Sequence, residues 1–414
     1  MTMIRPETEM KDSGVQWIGD IPKEWSIIKG KYILKQLSRS VLESDNVVTC
    51  FRDGEVTLRS NRRELGFTNS LKEIGYQGVE PGDLVVHGMD GFAGAIGISD
   101  SRGKMSPIIN VLESGECKKY LMYYLRGLAF VNVFLGLSTG IRERSCDLRW
   151  NKLANLEYTI PPLSEQQAVA NYLDETCSKI DEIIAEAKAS IDEYKELKQS
   201  VILEAVTKGL DKNVEMKDSG VEWIGLCPKH WVVSRIKNES SNLDNLREPV
   251  SADNRENKLG LYDYYGASGV IDKIDYYNVD DVVLLIGEDG ANLRMRNLPL
   301  VYRASGKFWV NNHAHILKIN ERNDYEYMAY MLEAGDYSDY ITGSAQPKLS
   351  QFNLMRFPIV HPPLNEQIVI SQYLVDRIPQ IDSLIAEKES LINDLEAYKK
   401  SLIYEVATGK RKVV

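Results

Sequence analysis

Residues 9–25, EMKDSGVQWIGDIPKEW, return at 215–231 as EMKDSGVEWIGLCPKHW, with 13 of 17 positions identical at an offset of 206. A second repeat begins with PPLSEQ at 161 and returns as PPLNEQ at 362, an offset of 201. Each copy of the second repeat runs into a helical pattern of about 45 residues. A repeated unit fixes the architecture before any single motif is considered. The layout is A-B-A′-B′, so a fold that accommodates one half must accommodate the other in the same way.

The second repeat carries helix signals. Pro161 and Pro162 cannot sit inside a helix, Ser164 suits an N-cap, and Gln167 three residues on completes a capping box; Asn365 repeats the cap role. From there Leu173, Cys177, Ile180, Ile184, Ala187, Ile191, Tyr194, Lys198, Val201 and Ala205 follow steps of four and three, a coiled-coil seam with one polar member that stops at Gly209. At an offset of 201 the register reads Leu374, Ile378, Ile381, Ile385, Lys388, Ile392, Leu395, Lys399, Leu402 and Val406. Matching seams of equal length make each helix the natural partner of the other. Two amphipathic core helices of one large domain is the plainer alternative.

Direction follows from size. A helix of about 43 residues is about 64 Å long, whereas a compact 150-residue domain is about 40 Å across. Residues 211–361 must return the chain from the end of the first helix to the start of the second, so those ends lie close and the pair is antiparallel. The expected fold is α+β: two mixed α/β domains joined by two long helices forming an antiparallel coiled coil, with an internal pseudo-two-fold repeat. One chain then imitates a homodimer.

The two intervening segments, 26–160 and 232–361, diverge almost completely. Strand-like runs occur at 83–87, 95–98, 281–286 and 315–319. At 414 residues there is room for two or more cores. The start, Met1 to Met10, lacks a basic region followed by an apolar stretch, and no run of about 18 apolar residues occurs, so a cytoplasmic location is expected. Cys50, Cys117, Cys146, Cys177 and Cys227 are odd in number and never spaced C-x-x-C, which argues against disulfides and a thiolate zinc site.

The net charge of -10 is unfavourable for a nucleic-acid binder, so its distribution matters more than its sum. Residues 26–160 hold 18 Lys plus Arg against 15 Asp plus Glu, whereas 161–210 hold 5 against 10 and 232–361 hold 14 against 18. Both segments have glycine-rich loops, GMDGFAGAIG at 88–97 and GEDGAN at 287–292, where glycine permits close backbone approach. Cations gather near them: Arg102, Lys104, Arg142, Arg144, Arg149 and Lys152 in the first, Arg294, Arg296, Arg303, Lys307 and Lys348 in the second. All are candidates to neutralise DNA phosphates, and Arg142, Arg144, Arg294, Arg296 and Gln346 also have donors that fit purine edges. For each one the plainer alternative is a solvated surface charge. His313 and His315 would share a face of a strand and could start a metal site, but no third ligand is evident and no metal or cofactor is expected. Tyr262, Tyr264, Tyr265, Tyr276 and Tyr277 could stack on an extruded base, with strand packing the simpler reading.

The repeat KDSGVxWIGxxPxxW, the paired PPLxEQ starts and the long helices together resemble the specificity subunits of type I restriction-modification systems, across essentially the whole chain. Within the domains, 88–110, 306–317 (GKFWVNNHAHIL) and 343–350 (GSAQPKLS) look like segments that recur in that family's recognition domains. GLSTGIRERS at 136–145 occupies the place of GSAQPKLS but lacks its Gln-Pro. The resemblance implies target-recognition domains at 1–160 and 211–361, each reading one half of a bipartite, asymmetric site in double-stranded DNA. It implies helices at 161–210 and 362–414 that hold the halves apart and dock modification (methyltransferase) subunits, with restriction (translocase and endonuclease) subunits in the full complex. No adenine-methyltransferase motif, P-loop or convincing nuclease carboxylate cluster is present, and Glu256 with Lys258 is a coincidental E-x-K, so a non-catalytic chain is expected. The alternative is a coiled-coil adaptor presenting two protein-binding domains.

Overall fold

The computed structural model of the chain describes residues 2–62, 73–136, 147–251 and 260–413. They form two compact units, Met1–Lys188 with Glu389–Val414, and Ala189–Lys388.

The first unit contains β1 (Ser26–Lys29), β2 (Leu34–Gln36), β3 (Leu84–His87), β4 (Ile96–Ile98), β5 (Ile109–Ser114), helix α1 (Lys118–Phe130) and β6 (Glu157–Ile160). Strands β4-β3-β5-β2 form an antiparallel sheet, and β1 pairs antiparallel with β6. Leu84, Val85 and Val86 of β3 are all fully buried, as an uninterrupted apolar run in a central strand requires. Val85 packs with Val48, Val79 and Val111.

The second unit contains β7 (Val232–Arg235), β8 (Ser240–Asn242), β9 (Tyr262–Gly266), β10 (Gly269–Ile274), β11 (Val279–Gly287), β12 (Val301–Val310), β13 (Ala314–Ile319), helix α3 (Tyr325–Ala334) and β14 (Pro358–His361). Its six-stranded sheet runs β8-β13-β11-β12-β9-β10, with β9 and β12 parallel and the other neighbours antiparallel. Strand β7 pairs antiparallel with β14. The four strand-like runs read from the sequence fall in β3, β4, β11 and β13. Three neighbouring strands recur, β2-β5-β3 and β8-β13-β11, and the rest differs.

Helix α2 spans Leu163–Lys208 and α4 spans Leu364–Ala407. Within the first unit Lys399 Nζ pairs with Asp181 at 2.6 Å, and within the second Lys198 Nζ pairs with Asp382 at 2.6 Å. Each residue of one pair lies 201 positions from its counterpart in the other. The Tyr120 hydroxyl donates to the carbonyls of Thr159 (2.7 Å) and Ala407 (3.0 Å), which sets the end of α4 beside the strand that leads into α2. Tyr327 repeats this with Val360 (3.3 Å) and Val206 (3.1 Å). In both units the helices therefore run antiparallel, as expected.

The seam is where its spacing put it. Leu173, Cys177, Ile180, Ile184, Ala187, Ile191, Leu374, Ile378, Ile381 and Ile392 are buried, and Ile385 and Lys388 are half-buried. The capping box is not formed. The helices begin two residues early, at Leu163 and Leu364, so Ser164 and Asn365 are already helical, and the Pro162 carbonyl accepts from the amides of Glu165 and Gln166. Gln167 donates to Asn171 instead.

The neighbouring residues explain why the motif is repeated. Gln166 donates to the Pro161 carbonyl (2.9 Å) and accepts from the Cys117 amide (2.9 Å), one of the unpaired donors at the start of α1. Gln367 does the same with Pro362 (2.9 Å) and the Asp324 amide (2.9 Å) at the start of α3. Glu165 Oε2 accepts from Trp25 Nε1 at 3.0 Å, and Glu366 Oε2 from Trp231 Nε1 at 2.9 Å. Both indoles are essentially fully buried. The two sequence repeats thus meet, tryptophan of one on glutamate of the other, in each unit.

Candidate nucleic-acid interface

In the first unit, β3 ends at His87 and leads into the glycine loop. His87 Nδ1 accepts from the amides of Met89 (3.2 Å) and Asp90 (3.0 Å), and burial holds its pKa below the ordinary histidine value, as an unprotonated acceptor requires. A Cβ on Gly88 would sit 2.6 Å from the Ile108 carbonyl, so this turn needs glycine. Asn110, buried on β5, donates to Val86 (3.2 Å) and Leu148 (3.0 Å), tying β3 to the segment that enters the Trp150–Asn155 helix.

The second unit has the same joint. The Leu349 amide donates to the Glu288 carbonyl (2.8 Å), as Leu148 donates to Gly88 (2.7 Å). His315 takes the place of Asn110, fully buried, with Nδ1 on Asp244 Oδ2 (2.6 Å) and Nε2 on the Leu349 carbonyl (2.8 Å). Both ring nitrogens are thereby engaged. Around it Arg247 pairs with Asp244 and Glu288, and Lys348 pairs with Glu288 at 3.0 Å. Burial pushes the Glu288 carboxyl upward, but the Arg247 hydrogen bond, His315 and Lys348 outweigh it and hold it below the ordinary carboxylate range. This network fastens the glycine loop 287–290 to the hairpin Ile341–Thr342/Lys348–Leu349, and the Gly290 amide donates to the Pro347 carbonyl at 3.0 Å.

The predicted cations sort into three groups. Arg102 is held by Asp45 (3.1 Å) and Glu80, Lys104 by Glu73 (2.7 Å), Arg149 by Asp147 (3.0 Å), Arg303 by Glu326 (2.6 Å), and Lys348 by Glu288. Arg294 donates to the Gly343 carbonyl (3.1 Å), Arg296 to the Glu333 carbonyl, and Lys307 lies 4.6 Å from the Tyr277 ring centre. Lys152 and Gln346 are exposed. Arg294, Arg296 and Arg303 line one cleft of about 1570 Å³ with Lys195 and Lys198 of α2. Arg142, Arg144, Glu256 and Lys258 lie outside the described residues.

One reading needs correction, and one choice between two readings goes to the simpler. His313 and His315 do not share a strand face: His313 precedes β13 and binds Asp289 (2.7 Å) at the surface, whereas His315 is buried on Asp244, so the pair cannot begin a metal site. The tyrosine patch is packing. Tyr264 is buried, Tyr276 stands edge-on to Trp309 at 4.5 Å, and Tyr262 meets Tyr277 at 5.3 Å.

Sequence reasoning missed Asn110, Asp244, Arg247, Glu288 and the two glutamines of PPLxEQ. The glutamines were signalled by the repeat itself; Asn110 meets Leu148, Arg247 meets Glu288 and Asp244 meets His315 across 38, 41 and 71 residues, with no spacing signal.

A family model, "Type I restriction modification DNA specificity domain", matches residues 228–396. A Haemophilus influenzae protein named as a type I restriction enzyme specificity subunit is 30% identical over 160 residues, 38% of each chain. The chain spans 38% and 63% of the length of the first two curated relatives it matches. Among solved structures, a chain from a type I R-M system superposes with a TM-score of 0.70 at 12% identity, covering 94% of this chain and 99% of that one. The HsdS subunit from Thermoanaerobacter tengcongensis gives 0.53 at 14% identity, covering 94% and 98%. No helix among the described residues is long and apolar enough to cross a membrane. Residues 228–396 thus match the type I restriction modification DNA specificity domain, the first half of the chain repeats the same frame, and the fold along its length is that of these solved chains.

Proposed function

We propose that the recognition domains 1–160 and 211–361 each read one half of a bipartite, asymmetric site in double-stranded DNA. The helical segments 161–210 and 362–414 set the separation of the half-sites and dock two modification subunits; restriction subunits join in the full complex. The chain is not catalytic and needs no cofactor: methyl transfer and cleavage belong to its partners, in the cytoplasm.

One observation carries this reading. The same frame of Trp–Glu, Gln–amide and Tyr–carbonyl contacts holds two unlike inserts, one around a four-stranded sheet and one around a six-stranded sheet. A symmetric frame with dissimilar readers suits two unlike half-sites, as symmetric dimers suit like ones. With a net charge of -10, binding rests on local cations and on the partners rather than on a general positive field.

The test is dependence on partners. Purified alone, the chain leaves DNA unmethylated with S-adenosylmethionine present; with modification subunits added, methylation appears at one bipartite sequence. Methylation by the chain alone refutes the reading. Assembly on protein partners with no DNA dependence points to the adaptor alternative.

A further inference from the structure

The candidate cations of the second domain are mostly engaged: Arg303 and Lys348 on carboxylates, Arg294 and Arg296 on backbone carbonyls. His313 differs. Its side chain is 47% exposed, Nδ1 is bound to Asp289 Oδ2 at 2.7 Å, and Nε2 makes no hydrogen bond among the described residues. Its backbone is fixed on both sides, because its amide donates to Asn311 Oδ1 (2.8 Å) and its carbonyl accepts from the Glu288 amide (2.8 Å). Asp289 lies between Glu288 and Gly290, both tied to the 341–349 hairpin, so the carboxylate that orients the ring is itself anchored. A Cβ on Gly290 would meet nothing within 4 Å, so the loop is open on that side, and Gln346 on the hairpin is exposed.

We propose that the His313–Asp289 pair is a pre-oriented base reader of the half-site assigned to residues 211–361. The inference rests on the proposed function. With Nδ1–H donating to the Asp289 carboxylate, the tautomer that this bond selects presents Nε2 as an acceptor. The matching group on a major-groove base edge is the exocyclic amine of adenine or cytosine. A ring held by an anchored carboxylate needs no ordering when DNA arrives, unlike a long lysine or arginine. This distinguishes His313 from Arg294, Arg296, Arg303 and Lys348, whose donors are already engaged within the protein.

The experiment maps methylated sites in cells carrying the complete system with wild-type chain, His313→Leu, His313→Gln or Asp289→Asn. His313→Leu relaxes preference at one base position of one half-site by about 5- to 150-fold, the usual effect of one lost base contact. The other half-site is unchanged. His313→Gln, which keeps an acceptor, loses less, and Asp289→Asn relaxes the same position because the ring loses its orientation. Unchanged preference in His313→Leu overturns the proposal and leaves the bipartite reading intact. Uniform weakening across both half-sites marks a structural role and also overturns it. A wild-type complex with no bipartite target overturns both.

Discussion

Removing Glu165 should cost more than removing Glu366, although the two residues are repeat equivalents. In Glu366→Ala the Trp231 indole N–H, fully buried, loses its acceptor, a loss of about 1–3 kcal/mol. The exposed His230 contact at 2.8 Å adds about 1 kcal/mol at most. Glu165→Ala strands Trp25 in the same way and also removes the closer carboxylate of Arg5, whose side chain is 8% exposed, whose Nε already lacks a partner among the described residues, and which keeps only the longer Glu9 ion pair at 3.7 Å. A wholly uncompensated buried charge costs about 3–5 kcal/mol; with Glu9 still in reach only part of that is lost, so the Glu165 variant should lose more by about 1 kcal/mol or more. Urea unfolding followed by tryptophan fluorescence reads this, with the two units fitted as separate transitions if they do not coincide. A Glu366→Ala loss equal to or larger than that of Glu165→Ala would refute the reasoning, as would no loss from either.

Arg102 and Lys152 separate structural from phosphate-binding cations. Lys152→Ala should reduce the slope of log affinity against log salt by about 0.9 in DNA-binding titrations of the assembled complex, while Arg102→Ala leaves the slope unchanged and lowers stability; the reverse result would overturn this division. The Arg102 hydrogen bond holds the Asp45 carboxyl below its ordinary value, so its stabilisation is present above about pH 3.9 and is lost as pH falls through the native value. Asp45→Asn should flatten the decline of Tm in that window, and an unchanged decline would assign the acid loss elsewhere. Inserting one heptad between Ile184 and Ile191, and another beside Ile392, adds about 10 Å to each helix, or about 3 base pairs. Methylome mapping should show a longer unread spacer or no activity; full activity at the original spacing would exclude the helices as a ruler.

The helices were legible because their signal is local and periodic. From Leu173 to Ala205 the spacing alone identifies the buried seam, and chain connectivity gives its direction. Their starts were misplaced by two residues because Pro162 offers its carbonyl to the amides of Glu165 and Gln166, which lets the helix begin before Ser164. The interface was harder to read. Whether Arg102 is free depends on Asp45, 57 residues away, and whether His315 is a ligand or a buried tie depends on Asp244, 71 residues away. Composition marks such residues as candidates, but only the folded sheet shows which carboxylate each one meets.

The contacts at the head of each long helix ask little of what they hold. Gln166 and Gln367 grip backbone amides, and Tyr120 and Tyr327 grip backbone carbonyls, so neither depends on the side chains at the receiving positions. Such a socket accepts any insert that offers a strand end, a helix start and one tyrosine at the right places. The interior is then free to drift in sequence and strand number while the joint stays the same, so a change in the insert need not disturb how it is mounted.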